Sequence, residues 1–419
     1  MLKQGRTHYT APLALRIVYN GSFGMKNKTL IFLSVVMLVN ALAYGTIIPL
    51  MYPYAKTFGL TPIGLSLLIA SFSLFQFIFT PIIGRLSDVY GRRPLLLLSI
   101  LGTGISLIMF ATAQTIWQLF EARIIDGITG GNMSVAQAVI ADTVKGPERA
   151  KAFGMLGASF GFGFLIGPAL GGFLSQYGLA VPFFFSAGLA LAASVFGFFF
   201  LKESLPLSER KVHTKESLLN FKDMFHALYM PVIGMIFVIS FLISTAGNAF
   251  VIGAQSITND MFHLTPQSIG VYFTIIGLLS VMLQGFGVGK LLKYVTSKPT
   301  VVFYSLLFAS IFMGMLFFGR SIQPHFLTTI FYLIAAAPLM PVLSGLLSEN
   351  APQADQGEIL GINQSYVSLG QVVGPLLAGT IVAQSIPGVF LLSASLLLSA
   401  CIVTGVTFKW QFALKAVRQ

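Results

Sequence analysis

Two ionisable residues stand where the chain offers them little water. Arg123 and Asp126, in RIIDGITGG, lie between the apolar stretches TIWQLFEA and NMSVAQAVI. A cation and a carboxylate three residues apart share one helix face. Such a pair can neutralise itself and hold its helix in register. Alternatively, if a ligand or a helix motion separates the two groups, the carboxyl can take up and release a proton. The rest of the chain offers little competing chemistry. The five histidines are scattered with no HExxH spacing, and no metal site is expected. The single cysteine excludes an intramolecular disulfide framework and a Cys-based zinc site.

Composition says what surrounds the pair. Of 419 residues, 55% are hydrophobic and 9% charged, whereas soluble domains carry about 25% charge. The mean hydropathy is +0.84. The expected class is an all-α integral membrane protein. Its apolar runs are mostly about 20 residues long, enough to cross a bilayer as helices, and they lack the alternation of a membrane barrel. Twelve spans are read, at 29–53, 62–83, 95–113, 117–140, 149–175, 180–201, 229–255, 267–288, 300–319, 325–347, 358–383 and 386–408.

Charge orients them. Of the 25 Lys and Arg, 22 fall in the N-terminal segment, the 2–3, 4–5, 6–7 and 8–9 loops and the tail. Basic residues flanking spans collect in the cytoplasm, so both termini are expected there. The net charge of +12 is therefore a topology signal. Anionic lipid is the expected partner, because a nucleic-acid patch needs clustering on one soluble domain.

Residues 1–28 form an N-terminal segment, 29–201 a first six-helix bundle, 202–228 a polar cytoplasmic linker, 229–408 a second bundle and 409–419 a cytoplasmic tail. Residues 1–24 are polar and lack a signal-peptide pattern. MKNKTLIFL from Met25 reads as a natural start, which leaves the upstream piece as an overextension or a disordered arm.

The halves repeat each other. Gly154, Gly163, Gly167, Pro168, Gly171 and Gly172 of span 5 recur in span 11 as Gly361, Gly370, Gly374, Pro375, Ala378 and Gly379, offset by 207 residues. GRLSDVYGRRP at 84–94 aligns with a degraded copy, GKLLKYVTSKP, at 289–299. Paired six-span repeats suggest alternating access around a central site.

On these motifs the chain resembles the major facilitator superfamily, specifically its twelve-span drug/proton antiporter branch, over about residues 28–408. The stretch ADTVKGPERAKAFGMLGASFGFGFLIGPALGG is similar to tetracycline/proton antiporters. The resemblance implies two six-helix bundles in a bacterial inner membrane. GRLSDVYGRRP matches the family's gate motif. Gly84 would allow close helix approach and Gly91 a turn with positive φ. By the resemblance, Asp88 caps the start of span 11 near Gly357 when the protein faces outward, and Arg92 and Arg93 meet acids such as Asp142. The span-5 series resembles a mark of exporters. Its glycines permit close packing and Pro168 bends the helix. Arg123 with Gly127 and Gly131 matches a third family motif.

The pair then gains weight. If span 4 enters near Trp117, Arg123 lies ~9 Å and Asp126 ~13 Å deep at about 1.5 Å per residue. A charge near the midplane costs about 2.5–3.5 kcal/mol even on the insertion scale. Tetracycline antiporters carry an aspartate in span 1 where this chain has Asn40, and Asp126 is the only deep carboxylate. Asp126 and Arg123 are the expected proton-coupling residues, with tetracycline–metal as substrate placed in doubt. In the family, spans 1, 4, 7 and 10 line the cavity, flanked by 2, 5, 8 and 11. Asn40, Tyr44, Gln76, Gln137, Asn248, Tyr272, Asn363 and Gln364 are the polar candidates for its wall, and each could equally make an interhelical hydrogen bond. Gln284 and Gln371 receive no role.

A primary pump would need a nucleotide site, and no GxxxxGK[ST] occurs. A channel leaves the gate motif and the repeat unexplained, and an enzyme would want a denser polar constellation in the spans. The expectation is a monomeric secondary transporter without cofactor. It would export a small, amphipathic molecule in exchange for protons, powered by the proton gradient. An uptake symporter for a small organic nutrient is the alternative.

Overall fold

A computed structural model of the chain describes residues 25–144, 148–210, 227–230, 232–295, 297–352 and 356–417. The open question over residues 1–24, and most of the linker, lie outside the described residues. Among those described, eleven helical spans are long and apolar enough to cross a membrane: Thr29–Lys56, Pro62–Tyr90, Arg92–Ala111, Lys151–Tyr177, Val181–Phe200, Ile233–Met261, Pro266–Tyr294, Lys298–Phe318, Ile322–Asn350 (two helices, Ile322–Ala336 and Leu339–Asn350, joined by a turn), Ile359–Val382 and Gly388–Thr407.

The twelfth crossing is span 4, and here the structure departs from the continuous helix expected over 117–140. The segment is two helices, Ile116–Thr129 and Asn132–Thr143, of 14 and 12 residues. Neither alone reaches the roughly 20 residues a bilayer requires. The break falls at Gly130–Gly131, where two weak helix formers meet. Backbone groups freed inside a bilayer must find partners within the protein. The Ser99 hydroxyl donates to the Thr129 carbonyl, and Gln76 Nε2 donates to the Gly130 carbonyl at 3.3 Å. Thr115 starts the first helix with a capping box closed by Gln118. The chain ends differ too. The first helix begins at Met25, and the last runs to Val417, through most of the expected tail.

In each half a glycine-bearing helix seats a neighbour. Span 1 packs along span 5 and span 7 along span 11, while the halves meet where span 2 lies on span 11 and span 5 on span 8. A Cβ on Gly163 would stand 2.5 Å from the Leu38 carbonyl, and one on Gly171 2.4 Å from that of Thr46. Gly167 faces Gly45 just as closely. Those three glycines therefore fix span 1. Gly172 points the other way, onto Gly270 of span 8, and its repeat Gly379 lies on Ser66 of span 2. Gly154 and Gly84 have open space where a Cβ would be, so neither serves a close approach here.

Apolar packing is uneven along the bundle. One buried cluster, with Phe32, Leu96 and Val139, belongs to the first half, and another, with Phe237, Leu306 and Leu343, to the second. A third joins Leu50, Leu65 and Phe183 to Ile252, Ala378 and Val389 across the halves. It lies at the end away from the basic loops, so that end is where the halves are sealed.

Candidate functional site

Arg123 and Asp126 are both buried on the first helix of span 4, joined by an Nη1–Oδ2 hydrogen bond of 2.8 Å. The guanidinium lies 4.0 Å from the centre of the Phe72 ring of span 2. Thr103 and Ser106 of span 3 stand beside the carboxylate. Gly127 makes this possible: a Cβ there would meet the Phe72 carbonyl at 2.6 Å, so only glycine lets span 2 come close enough to stack. Gly131 admits Ile83 of the same span. Breaking such a buried pair by removing one partner costs roughly 3–5 kcal/mol.

The pair opens on one side to a cavity of about 1230 Å³. That exceeds the usual range of small-molecule sites, about 300–1,000 Å³. Asp126 lines it with Asn40, Tyr44, Gln76, Gln137, Asn363 and Gln364. Asn248 and Tyr272 are not among its lining residues. Asn248 donates to the Ser244 carbonyl one turn back and packs on Gly374. Tyr272 is buried inside the second bundle among Phe273, His325 and Phe326. The twist of each helix, invisible in a list of polar positions, turns both away from the centre. Polar lining residues that had no expected role include Asn132 and Gln371. Asn132 donates to Asn40 Oδ1 at 2.9 Å, tying the second helix of span 4 to span 1. Gln371 lies seven residues from Gln364, a spacing that signals a shared helix face.

The cavity wall reaches Gly84, Arg85, Phe153 and Leu360, so it opens toward the basic loops. At that end the gate motif is folded onto its own half. Gly91 turns the chain at φ 107. Arg92 pairs with Asp88 and, through Nε at 3.0 Å, with Asp142. Arg93 goes elsewhere: it donates to the Phe198 carbonyl and lies 5.5 Å from that ring's centre. Glu203, unmarked in the sequence, accepts the backbone N–H groups of Arg92 and Arg93 at 2.9 and 3.2 Å. A carboxylate at a helix N-terminus satisfies orphan donors and complements the dipole.

The other end is closed by a clasp between the halves. Tyr52 donates to Asp260 Oδ2 and Lys56 to Asp260 Oδ1, each at 2.5 Å, joining spans 1 and 7.

These features sit within a recognisable lineage. The family model for the Major Facilitator Superfamily matches residues 33–335 and 236–411. The chain is 32% identical over 379 residues to "Multidrug resistance protein 2" of Bacillus subtilis (strain 168), covering 88% of this chain and 92% of that one. It is 29% identical over 355 residues to the class E tetracycline resistance protein of Escherichia coli, covering 84% and 87%. Among solved structures, a bacterial homologue of the human lysosomal transporter Spinster aligns with a TM-score of 0.77 at 15% identity, covering 92% of this chain and 98% of that one. The human organic anion transporter MFSD10 aligns at 0.69 and 23%, covering 91% and 100%. Two packed six-span halves, a cavity between them and a family match along nearly the whole chain lead to one assignment: the chain belongs to the Major Facilitator Superfamily of multi-pass membrane transporters.

Proposed function

We propose that this protein exports a small molecule across the bacterial inner membrane in exchange for protons. The termini and basic loops are cytoplasmic, so the cavity faces the cytoplasm and loads from there. The chain acts as a monomer and as a transporter rather than an enzyme. The observation that carries the reading is the position of Asp126, the one carboxylate among the described residues of the cavity wall, held beside Arg123 at the edge of the substrate space. A group so placed can exchange its proton with whichever side the cavity faces. The relatives named for multidrug and tetracycline resistance favour export over uptake.

In the exchange, substrate enters the open cavity and the cytoplasmic halves close. The Tyr52–Asp260–Lys56 clasp then parts to open the periplasmic end. Proton binding at Asp126 weakens its hold on Arg123 and resets the bundle. The test uses inverted vesicles with an acid interior and a pH-sensitive acridine dye, screened against a drug panel. A substrate is expected to collapse part of the pH gradient in vesicles with the native protein. Asp126→Asn should lose gradient-driven accumulation at least tenfold while still exchanging labelled for unlabelled substrate. Unchanged accumulation by that variant would remove Asp126 from the coupling step.

A further inference from the structure

The wall of the cavity carries more hydrogen-bonding capacity than the protein uses. Gln364, Ser368 and Gln371 of span 11 lie at intervals of four and three residues and all line the cavity. They form one polar stripe along a helix face. Among the described residues, neither Gln364 nor Gln371 has a side-chain partner, nor does Gln137 of span 4. Asn363 beside the stripe is buried, with its Oδ1 also unpartnered. In the open cavity water holds the exposed groups, and a substrate that offers donors and acceptors can take its place. The opposite wall is mixed: beside polar groups such as Asn40, Gln76 and Gln137, it adds the rings of Tyr44, Phe72 and Phe160.

Charge is the second observation. Asp126 and Arg85 are the charged side chains among the described lining residues. Asp126 is already compensated by Arg123, and Arg85 at the mouth is already engaged. A cation or an anion entering this space would shed water and meet no unpaired opposite charge, which is unfavourable in a low-dielectric site. An uncharged molecule with donors and acceptors would find both partners and rings.

We infer that the substrate is an uncharged compound with a flat apolar face and hydroxyl or amide groups along another edge. Its polar edge pairs with the Gln364–Ser368–Gln371 stripe and Asn363, and its flat face lies on the rings of the first half. This deepens the transport reading and rests on it. Exchange of such a molecule for a proton moves net charge, so its transport responds to membrane potential as well as to the pH gradient.

Equilibrium binding to the purified full chain tests it with three probes: chloramphenicol (uncharged, with an aryl ring, hydroxyls and an amide), tetraphenylphosphonium (a cation) and 2-naphthoate (an anion). Chloramphenicol is expected to bind at least tenfold more tightly than either charged probe. Gln364→Leu and Gln371→Leu should each weaken it about tenfold, with thermal melting confirming the fold. Gln364→Glu should raise tetraphenylphosphonium affinity severalfold by adding an unpaired charge. Tighter binding of a charged probe, no measurable binding of chloramphenicol, or stripe variants within threefold of the native affinity would each overturn the inference. Binding as expected with no gradient-driven transport in vesicles would instead count against export alone.

Discussion

At an offset of 206 residues, the first helix of span 4, Ile116–Thr129, matches the first helix of span 10, Ile322–Ala336; Thr115 and Ser321 hold the same N-terminal position, though only the Thr115 side chain caps its helix. The buried positions coincide as well: Leu119, Arg123 and Asp126 correspond to His325, Thr329 and Tyr332. Both helices stop at the same level. Span 4 breaks at two glycines. Span 10 turns at Ala337–Pro338, where Pro338 and Pro341 each remove a backbone donor. The chemistry on this shared frame is unlike. In the first half the face holds an ion pair beside the cavity. In the second, Tyr332 packs on Phe250 and His325 lies among Phe262, Tyr272 and Phe390. The repeat supplies two hinged spans, and one of them carries charge. In the proposed exchange a single site of ionisation suffices, and a second buried pair would add its own desolvation cost.

The largest expected effect tests that asymmetry directly. Arg123→Ala leaves the Asp126 carboxylate buried without its cation and should cost roughly 3–5 kcal/mol. Thr329→Val, at the matching place, should cost about 1 kcal/mol, the worth of a hydrogen bond. Thermal melting in detergent compares them, and equal losses would mean the two faces are not energetically distinct.

The seam between halves should instead behave symmetrically. Gly172→Leu and Gly379→Leu each push a side chain into the opposite half, and overpacking costs about 1–3 kcal/mol. Both should favour opening of the sealed end. A cysteine at Ile252, buried in the cluster that joins the halves, reports this in a Cys401→Ser background by its reaction with a water-soluble maleimide. Faster labelling in one variant and not the other would break the symmetry.

The clasp is a smaller element, since Lys56 is half exposed and such pairs contribute about 0–1 kcal/mol. Asp260→Lys should speed the same labelling up to about fivefold, and adding Lys56→Asp should reverse it. Failure of the double exchange to restore protection would make the clasp incidental to closure. The smallest effect is expected at Gly154→Ala and Gly361→Ala. Both repeat-related positions face open space, so stability should stay level or rise by up to about 1 kcal/mol. A loss of transport in either would show a contact made only in another conformation.

Legibility followed the kind of signal. Span positions, the pair at Arg123 and Asp126, and the glycine series were readable because apolar length, isolated charge and spacing are local properties. Gln371 was within reach, as a residue seven from Gln364, but one polar position gives no direction until a partner face is known. Asn248 and Tyr272 show the reverse error, since polar residues in the right spans can turn into their own bundle. Glu203 was not legible: its role depends on the chain after span 6 folding back to the start of span 3, which no local pattern records. The break in span 4 was half visible. Two adjacent glycines weaken a helix, but Ser99 and Gln76 had to be in place to satisfy the carbonyls it frees.

By itself, the sequence determined that this chain lives in a bilayer, crosses it in two repeated sets of helices and carries one buried carboxylate beside one buried cation. Those follow from hydrophobicity, periodicity and the cost of charge, which act residue by residue. Only the tertiary structure decided which faces meet. It seated span 1 on the span-5 glycines, laid Arg123 on Phe72, closed one end with Tyr52, Lys56 and Asp260, and left the Gln364–Ser368–Gln371 stripe facing an open cavity. Each of these joins residues distant in sequence. Their energy depends on distances of a few ångströms between helices, which are set by the packing of the whole bundle.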